Sequence, residues 1–278
     1  MDNREVLKII AAQAAQGDLA FSANAEIALR VRQALDNPDC HVDVAARLVQ
    51  AEPLLAARVV AIANSVAFNR SGREIADVHT AVSRLGFRTV RALATALVTR
   101  QLAGASTLPQ HQAVASQLWE HTAHVSALAH VIARKVTRQD PEAAMFAGII
   151  HEVGGFYLLS RGKDFPTVLD GDPSDWVEHG ESEIGRAVLK VLTVPAPALE
   201  AIEALWLGYL AMPPVTLGDT LILADWLAPV ESPLHQLKDH DNSAIKASID
   251  MMVGEETLVD IMRESAEEVA SLTSALRF

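Results

Sequence analysis

The sequence predicts an all-α protein, a multi-helix bundle, and three observations lead there. Half of the 278 residues are apolar but only 5% are aromatic, with alanine prominent, which suits many closely packed helices better than stacked sheets. No segment sustains the period-2 alternation of a half-buried strand, and no Asn-Gly hairpin turn occurs. Helix start and stop signals recur along the whole chain instead.

The segment "SANAEIALRVRQALDNPD" reads as a capped amphipathic helix stopped near Pro38. "VDVAARLVQAEP" is a short helix ended at Pro53, and "PLLAARVVAIANS" follows with proline in its first turn. "DVHTAVSRLG" starts on an Asp cap and closes on Gly86, which tolerates the left-handed conformation of a helix end. "FRTVRALATALVTRQL" continues as a longer helix. A break at Gly104–Pro109 divides the chain into two helical lobes, the first spanning residues 1–105. A long helix then runs from His111 to Val136. "DPEAAMFAGIIHEVGGFYLL" has an Asp140 cap, Pro141 in the first turn and apolar residues on nearly every side, as in a helix buried all round. "FPTVLDGDPSDW" reads as a loop. "ESEIGRAVLKVLT", "APALEAIEALW" and "TLGDTLILADWLAP" are three further helices separated by prolines, and two polar-faced helices follow Asp241.

The formal charge of -12 argues against general nucleic-acid binding, because most of the surface repels a phosphate backbone. Cys40 is the only cysteine, which excludes an internal disulfide and a cysteine zinc cluster and fits a reducing compartment. The opening "MDNREVLKII" lacks a signal-peptide core, and no apolar run reaches the ~20 residues of a membrane span. A soluble, cytoplasmic protein with no membrane partner is expected.

Candidate chemistry centres on the His151-Glu152 pair. On a continuous helix, His151 has Ala147, Gly148, Gly154 and Gly155 three and four positions away, a trough of small residues. That trough suits either close helix packing around a core histidine or a metal whose remaining ligands come from elsewhere. His121 and His124 share a helix face with each other, with His130 further along. Asp225 is a carboxylate in an apolar helix and needs a partner. Arg84, Arg88 and Arg91, with Arg100 beyond, form a basic stripe that is either solvated or open to an acidic partner or a nucleotide phosphate.

"EPLLAARVVAIANSVAFN", "IADVHTAVSRLGFRTVRAL", "LWEHTAHVSALAHVIAR" and "PEAAMFAGIIHEVGGFYLL" together resemble, in order, the landmarks of the HDOD (HD-related output domain) family, over roughly Leu19–Val230. The resemblance implies an HD-like helical lobe at residues 106–230, followed by an extension at 231–278. It also implies a stand-alone regulatory protein of bacterial signal transduction, descended from HD metal-dependent phosphohydrolases. Carried over residue by residue, His121 matches the first histidine of the HD superfamily and His151 the histidine of its His-Asp pair. Glu152 stands in the Asp position, and Asp225 matches the closing aspartate. Glu181 stands where the family often has histidine, and Leu205 and Trp206 replace a later His-His pair. "GYLAMPP" is similar to the GYP sequence of cyclic-di-GMP phosphodiesterases only superficially.

Leucine and tryptophan offer no lone pair to a catalytic metal, so a dinuclear site looks lost. A weak mononuclear divalent-metal site of His121, His151, Glu152 and Asp225 stays open, with no cofactor expected otherwise. The groove near His121, His124, His151, Glu152 and Asp225 is the ligand candidate, and Arg84, Arg88 and Arg91 are the partner-surface candidates. The alternative is a phosphohydrolase or phosphodiesterase acting on a nucleotide or cyclic nucleotide.

Overall fold

A computed structural model describes residues 3–17, 23–103, 108–211, 213–235 and 261–277. The described residues form helices and turns, with no strand among them. In chain order the α-helices are α1 Asn3–Ala15, α2 Ala23–Leu35, α3 Val42–Gln50, α4 Pro53–Asn64, α5 Val78–Ala103 and α6 Pro109–Ile132. They continue as α7 Pro141–Ile150, α8 Val153–Ser160, α9 Pro173–His179, α10 Glu181–Val191, α11 Ala196–Leu207, α12 Leu217–Trp226 and α13 Ala266–Leu276.

Most expected helices are present with the predicted ends. Pro53 opens α4, and Asp140 caps α7 by accepting from the backbone N–H groups of Glu142 and Ala143. Gly86 takes φ 74°, ψ 165° and kinks α5 between the two predicted helices. The expected Ser22 cap, the Gly104–Pro109 break in part and the first tail helix lie outside the described residues.

The N-terminal segment, for which the sequence reading names no element, forms α1 and buries Val6, Leu7, Ile10 and Ala14 against α9 and α10. Three expectations need correction. The expected loop 165–176 contains the start of α9, capped by Asp172 accepting from the Ser174 N–H with Pro173 in the first turn. The long 111–136 helix ends its α-helical part at Ile132 and finishes as a π-turn, Ala133–Thr137, closed by Arg138 in the left-handed region. Most consequential, the single buried helix expected at 141–159 is two helices, α7 and α8, with a corner at His151-Glu152.

The stretch Pro141–Lys163 is long and apolar enough to cross a membrane by length and composition, although His151 and Glu152 interrupt it, and 83% of its most apolar window is buried in protein. It is a core segment: α7 packs on α5, α6, α11 and α12, and α8 on α5 and α10. α5 bridges the early and later helices, packing against α2, α3 and α4 as well as α7 and α8.

Candidate functional site: a buried histidine–carboxylate cluster

Small residues bring the site's elements together. A Cβ added to Gly148 of α7 would lie 2.6 Å from the Cα of Ser126 in α6, so only glycine permits that approach. Gly154 of α8 meets Gly185 of α10 in the same way, with 2.9 Å from a built Cβ to the facing Cα. The glycines around His151 therefore serve helix contact, and the contacts deliver His121 from α6 and Glu181 from α10 to the α7–α8 corner. Glu152 sits at that corner with φ -96°, ψ 15°, outside both helices, and its C=O accepts the first α8 bond from the Phe156 N–H.

His121 and His151 face each other, Nε2 to Nε2, at 3.1 Å. His121 Nε2 is also 3.2 Å from Asp225 Oδ1 near the end of α12. His121 Nδ1–H donates to the Val230 carbonyl at 2.8 Å, and His151 Nδ1–H donates to the Gly148 carbonyl at 2.7 Å. These bonds fix the protons. His151 presents a bare Nε2 lone pair, while His121 Nε2–H points between that lone pair and the Asp225 carboxylate. With protons on both nitrogens, His121 is an imidazolium.

The electrostatics agree. Burial opposes a charge on His121, but the hydrogen bond and charge of Asp225, then the charge of Glu152, outweigh it and raise its pKa. Burial keeps His151 neutral, lowering its pKa. Burial likewise opposes ionisation of Glu152, yet the charges of His235 and, further down, His121 overcome it and hold the carboxyl below its ordinary range. Asp225 is lowered too, with burial outweighed first by its hydrogen bond to His121.

His235 is the residue that sequence reasoning missed. Its Nε2 lies 2.9 Å from Glu181 Oε1 and its Nδ1 lies 3.9 Å from Glu152 Oε1. Burial works against its charge, but Glu152 and Glu181 raise its pKa to about 9. It arrives on the segment after α12, within "SPLHQL", where no spacing or periodicity marks it. The one available signal was Glu181 itself, an acid in a histidine position that asks for a cation.

The cluster has the donor chemistry of a metal site. Ligand atoms of His121, His151 and Glu152 lie within 4.8 Å of one another, and Glu152 Oε1 is buried without a hydrogen-bond partner. Two imidazole nitrogens on one ion with bonds of about 2.0–2.1 Å stand about 3 Å apart, as His121 and His151 do. These residues fit one divalent ion, provided His121 gives up its Nε2 proton.

The other predicted site residues lie elsewhere. His124 points away from the cluster, to Glu120 at 3.4 Å and Arg277 at 3.3 Å. Trp206 packs on Gly185 and under the Arg186 guanidinium, and Leu205 is half-buried beside it on α11. The basic stripe is dispersed: Arg84 donates to Phe68 O and Asn69 Oδ1, Arg88 pairs with Asp140 and Arg91 with Asp36, while Arg100 lies over the Trp119 ring.

Residues 22–170 match the HDOD domain family. No curated protein matches. Among solved structures, a Shewanella amazonensis protein provisionally named a metal-dependent phosphohydrolase aligns over 99% of this chain and 100% of its own, at 20% identity and a TM-score of 0.74. An HDOD domain protein of unknown function from Geobacter sulfurreducens aligns over 98% of each chain, at 22% identity and a TM-score of 0.64. A Marinobacter aquaeolei protein provisionally named a signal transduction protein aligns over the whole of this chain and 67% of its own, at 20% identity and a TM-score of 0.61. At these identities the likeness is one of fold.

Proposed function

The chain belongs to the HDOD family, and we propose that it is a cytoplasmic regulatory protein of bacterial signal transduction that works by binding a protein or small ligand, its HD-type site being non-catalytic. One observation carries this reading: the site's charges are satisfied from within. His121 sits between Asp225 and the His151 lone pair, and His235 sits between Glu152 and Glu181. Imidazolium groups thus supply the positive charge that an ion would bring. His121 and Glu152 are each 2% exposed, so a substrate would have to open the fold to reach them. The cluster then acts as a pinned joint linking α6, the α7–α8 corner, α10 and the segment after α12, through which a binding event could be felt elsewhere.

The second reading, a metal-dependent phosphohydrolase acting on a nucleotide or cyclic nucleotide, is favoured by the 3.1 Å His121–His151 pair and by a buried Glu152 oxygen that accepts no hydrogen bond among the described residues. His121, His151, Glu152 and Asp225 would hold the ion, which would polarise a phosphate oxygen and supply hydroxide near neutral pH.

Hydrolysis of bis-p-nitrophenyl phosphate and of cyclic nucleotides, with added manganese or nickel, separates the two. The regulatory reading expects turnover equal to that of Asp225→Ala. Turnover abolished by both Asp225→Ala and His151→Ala would establish the enzyme.

A further inference from the structure

Away from the histidine cluster, α2, α5, α7 and the turn between α10 and α11 enclose a cavity of about 220 Å³. Three guanidinium groups line it, those of Arg32, Arg88 and Arg91, against two carboxylates, Asp36 and Glu142. Phe146, Leu192 and Pro195 supply an apolar wall. No residue of the His121–Glu152 cluster lines it.

The three arginines are not equivalent. Arg88 is 60% exposed and pairs with Asp140, and Arg91 is 38% exposed and pairs with Asp36. Arg32 is only 7% exposed, and among the described residues it forms no ion pair. Among the described residues its guanidinium donates one hydrogen bond, to the Thr193 hydroxyl. Burial lowers its pKa, with the Asp36 carboxylate working against that shift and the neighbouring Arg91 charge adding to it. Thr193 itself stands at φ 45°, a backbone region that a β-branched residue rarely adopts. A mostly buried guanidinium that lines a cavity beside a second arginine, with one hydrogen bond among the described residues and that one to a residue at positive φ, is suited to an anion.

We propose that this cavity is a ligand site for a small organic phosphate with a single-ring apolar body. The phosphate takes the unused donors of Arg32 and bridges to Arg91, with Arg88 at the rim, and the ring lies against Phe146 and Pro195. A phosphate has three oxygens to engage two guanidinium forks at once, whereas a carboxylate fills one. The volume sets the size: a cavity of about 150 Å³ holds benzene, and this one adds room for little more than a phosphate. It falls below the range of drug-sized pockets.

The test is calorimetric titration of the full chain, in the presence of a chelator, with phenyl phosphate, inorganic phosphate and benzoate. Saturable one-site binding of phenyl phosphate is expected, with inorganic phosphate and benzoate weaker by about tenfold or more. Arg32→Gln and Arg91→Gln are each expected to weaken phenyl phosphate binding by about tenfold or more, the loss of a charge-assisted hydrogen bond. Arg91 is partly exposed, so its variant keeps the test intact should Arg32→Gln fail to fold. Absence of saturable binding, unchanged binding in the folded variants, or equal binding by benzoate or inorganic phosphate would each overturn the assignment.

Discussion

The histidine cluster and the arginine cavity are both built from buried charge, and they treat it in opposite ways. In the cluster each carboxylate lies beside a buried or half-buried imidazolium: Asp225 beside His121, and Glu152 and Glu181 on either side of the one charge of His235. At the cavity the exposed arginines are paired, whereas the buried one, Arg32, forms no ion pair among the described residues and donates to a hydroxyl. Closed charge networks hold a fold in one arrangement, whereas an open one waits for a ligand.

The sharpest way to break this contrast is to remove a charge from each. Glu152→Gln leaves His121 and His235 without their shared carboxylate and is expected to cost about 3 kcal/mol in denaturant unfolding. Arg32→Met keeps the apolar stem and removes a poorly compensated cation, so stability should hold or rise by about 1 kcal/mol. A loss as large as that of Glu152→Gln would place Arg32 in a structural network and end the comparison.

Acidity probes the cluster alone. The folded-state pKa of His235, about 9, lies above its ordinary value of 6.5. Its contribution is fully present below pH 6.5 and lost as pH rises through about 9, a decline of up to about 3 kcal/mol. Glu152 and Asp225 are shifted the other way, so their contribution is lost as pH falls through and below the ordinary carboxylate range. Unfolding free energy should therefore peak between these limits, and His235→Gln should flatten its alkaline side. An unchanged alkaline slope in that variant would count against the pairing.

Packing and surface charge give smaller effects. Gly148→Ala drives a methyl group into the Ser126 backbone and should cost about 2 kcal/mol, read as a lower melting temperature. Arg88→Gln removes an exposed pair and should change stability by less than about 1 kcal/mol.

Helix punctuation made most of the fold legible before any coordinates. Proline and Asp caps at Pro53, Asp140 and Pro141, and glycine at Gly86, act within a turn of themselves, so the sequence displays them directly. The α7–α8 corner was hidden because both helices are apolar all round, and a buried run has no polar face whose phase could slip at a bend. Helix α9 was hidden by the Pro and Asp residues that also mark loops, although an Asp-Pro-Ser start is equally a capped helix. His121, His151 and Asp225 carried a family pattern and do converge. His235 carried none: its role comes from where the segment after α12 folds back, and long-range placement of this kind leaves no local trace.

If imidazolium groups take the electrostatic role of an ion in the cluster, the cluster should have little affinity for a divalent metal. Metal stoichiometry after dialysis against manganese or nickel, measured by mass spectrometry on the wild type and on His235→Gln, tests it most directly. The wild type should hold far less than one equivalent, and His235→Gln, which frees the Glu152 carboxylate, should hold more. A full equivalent in the wild type, lost in His151→Ala and unchanged in His235→Gln, would contradict the account and return the cluster to metal chemistry.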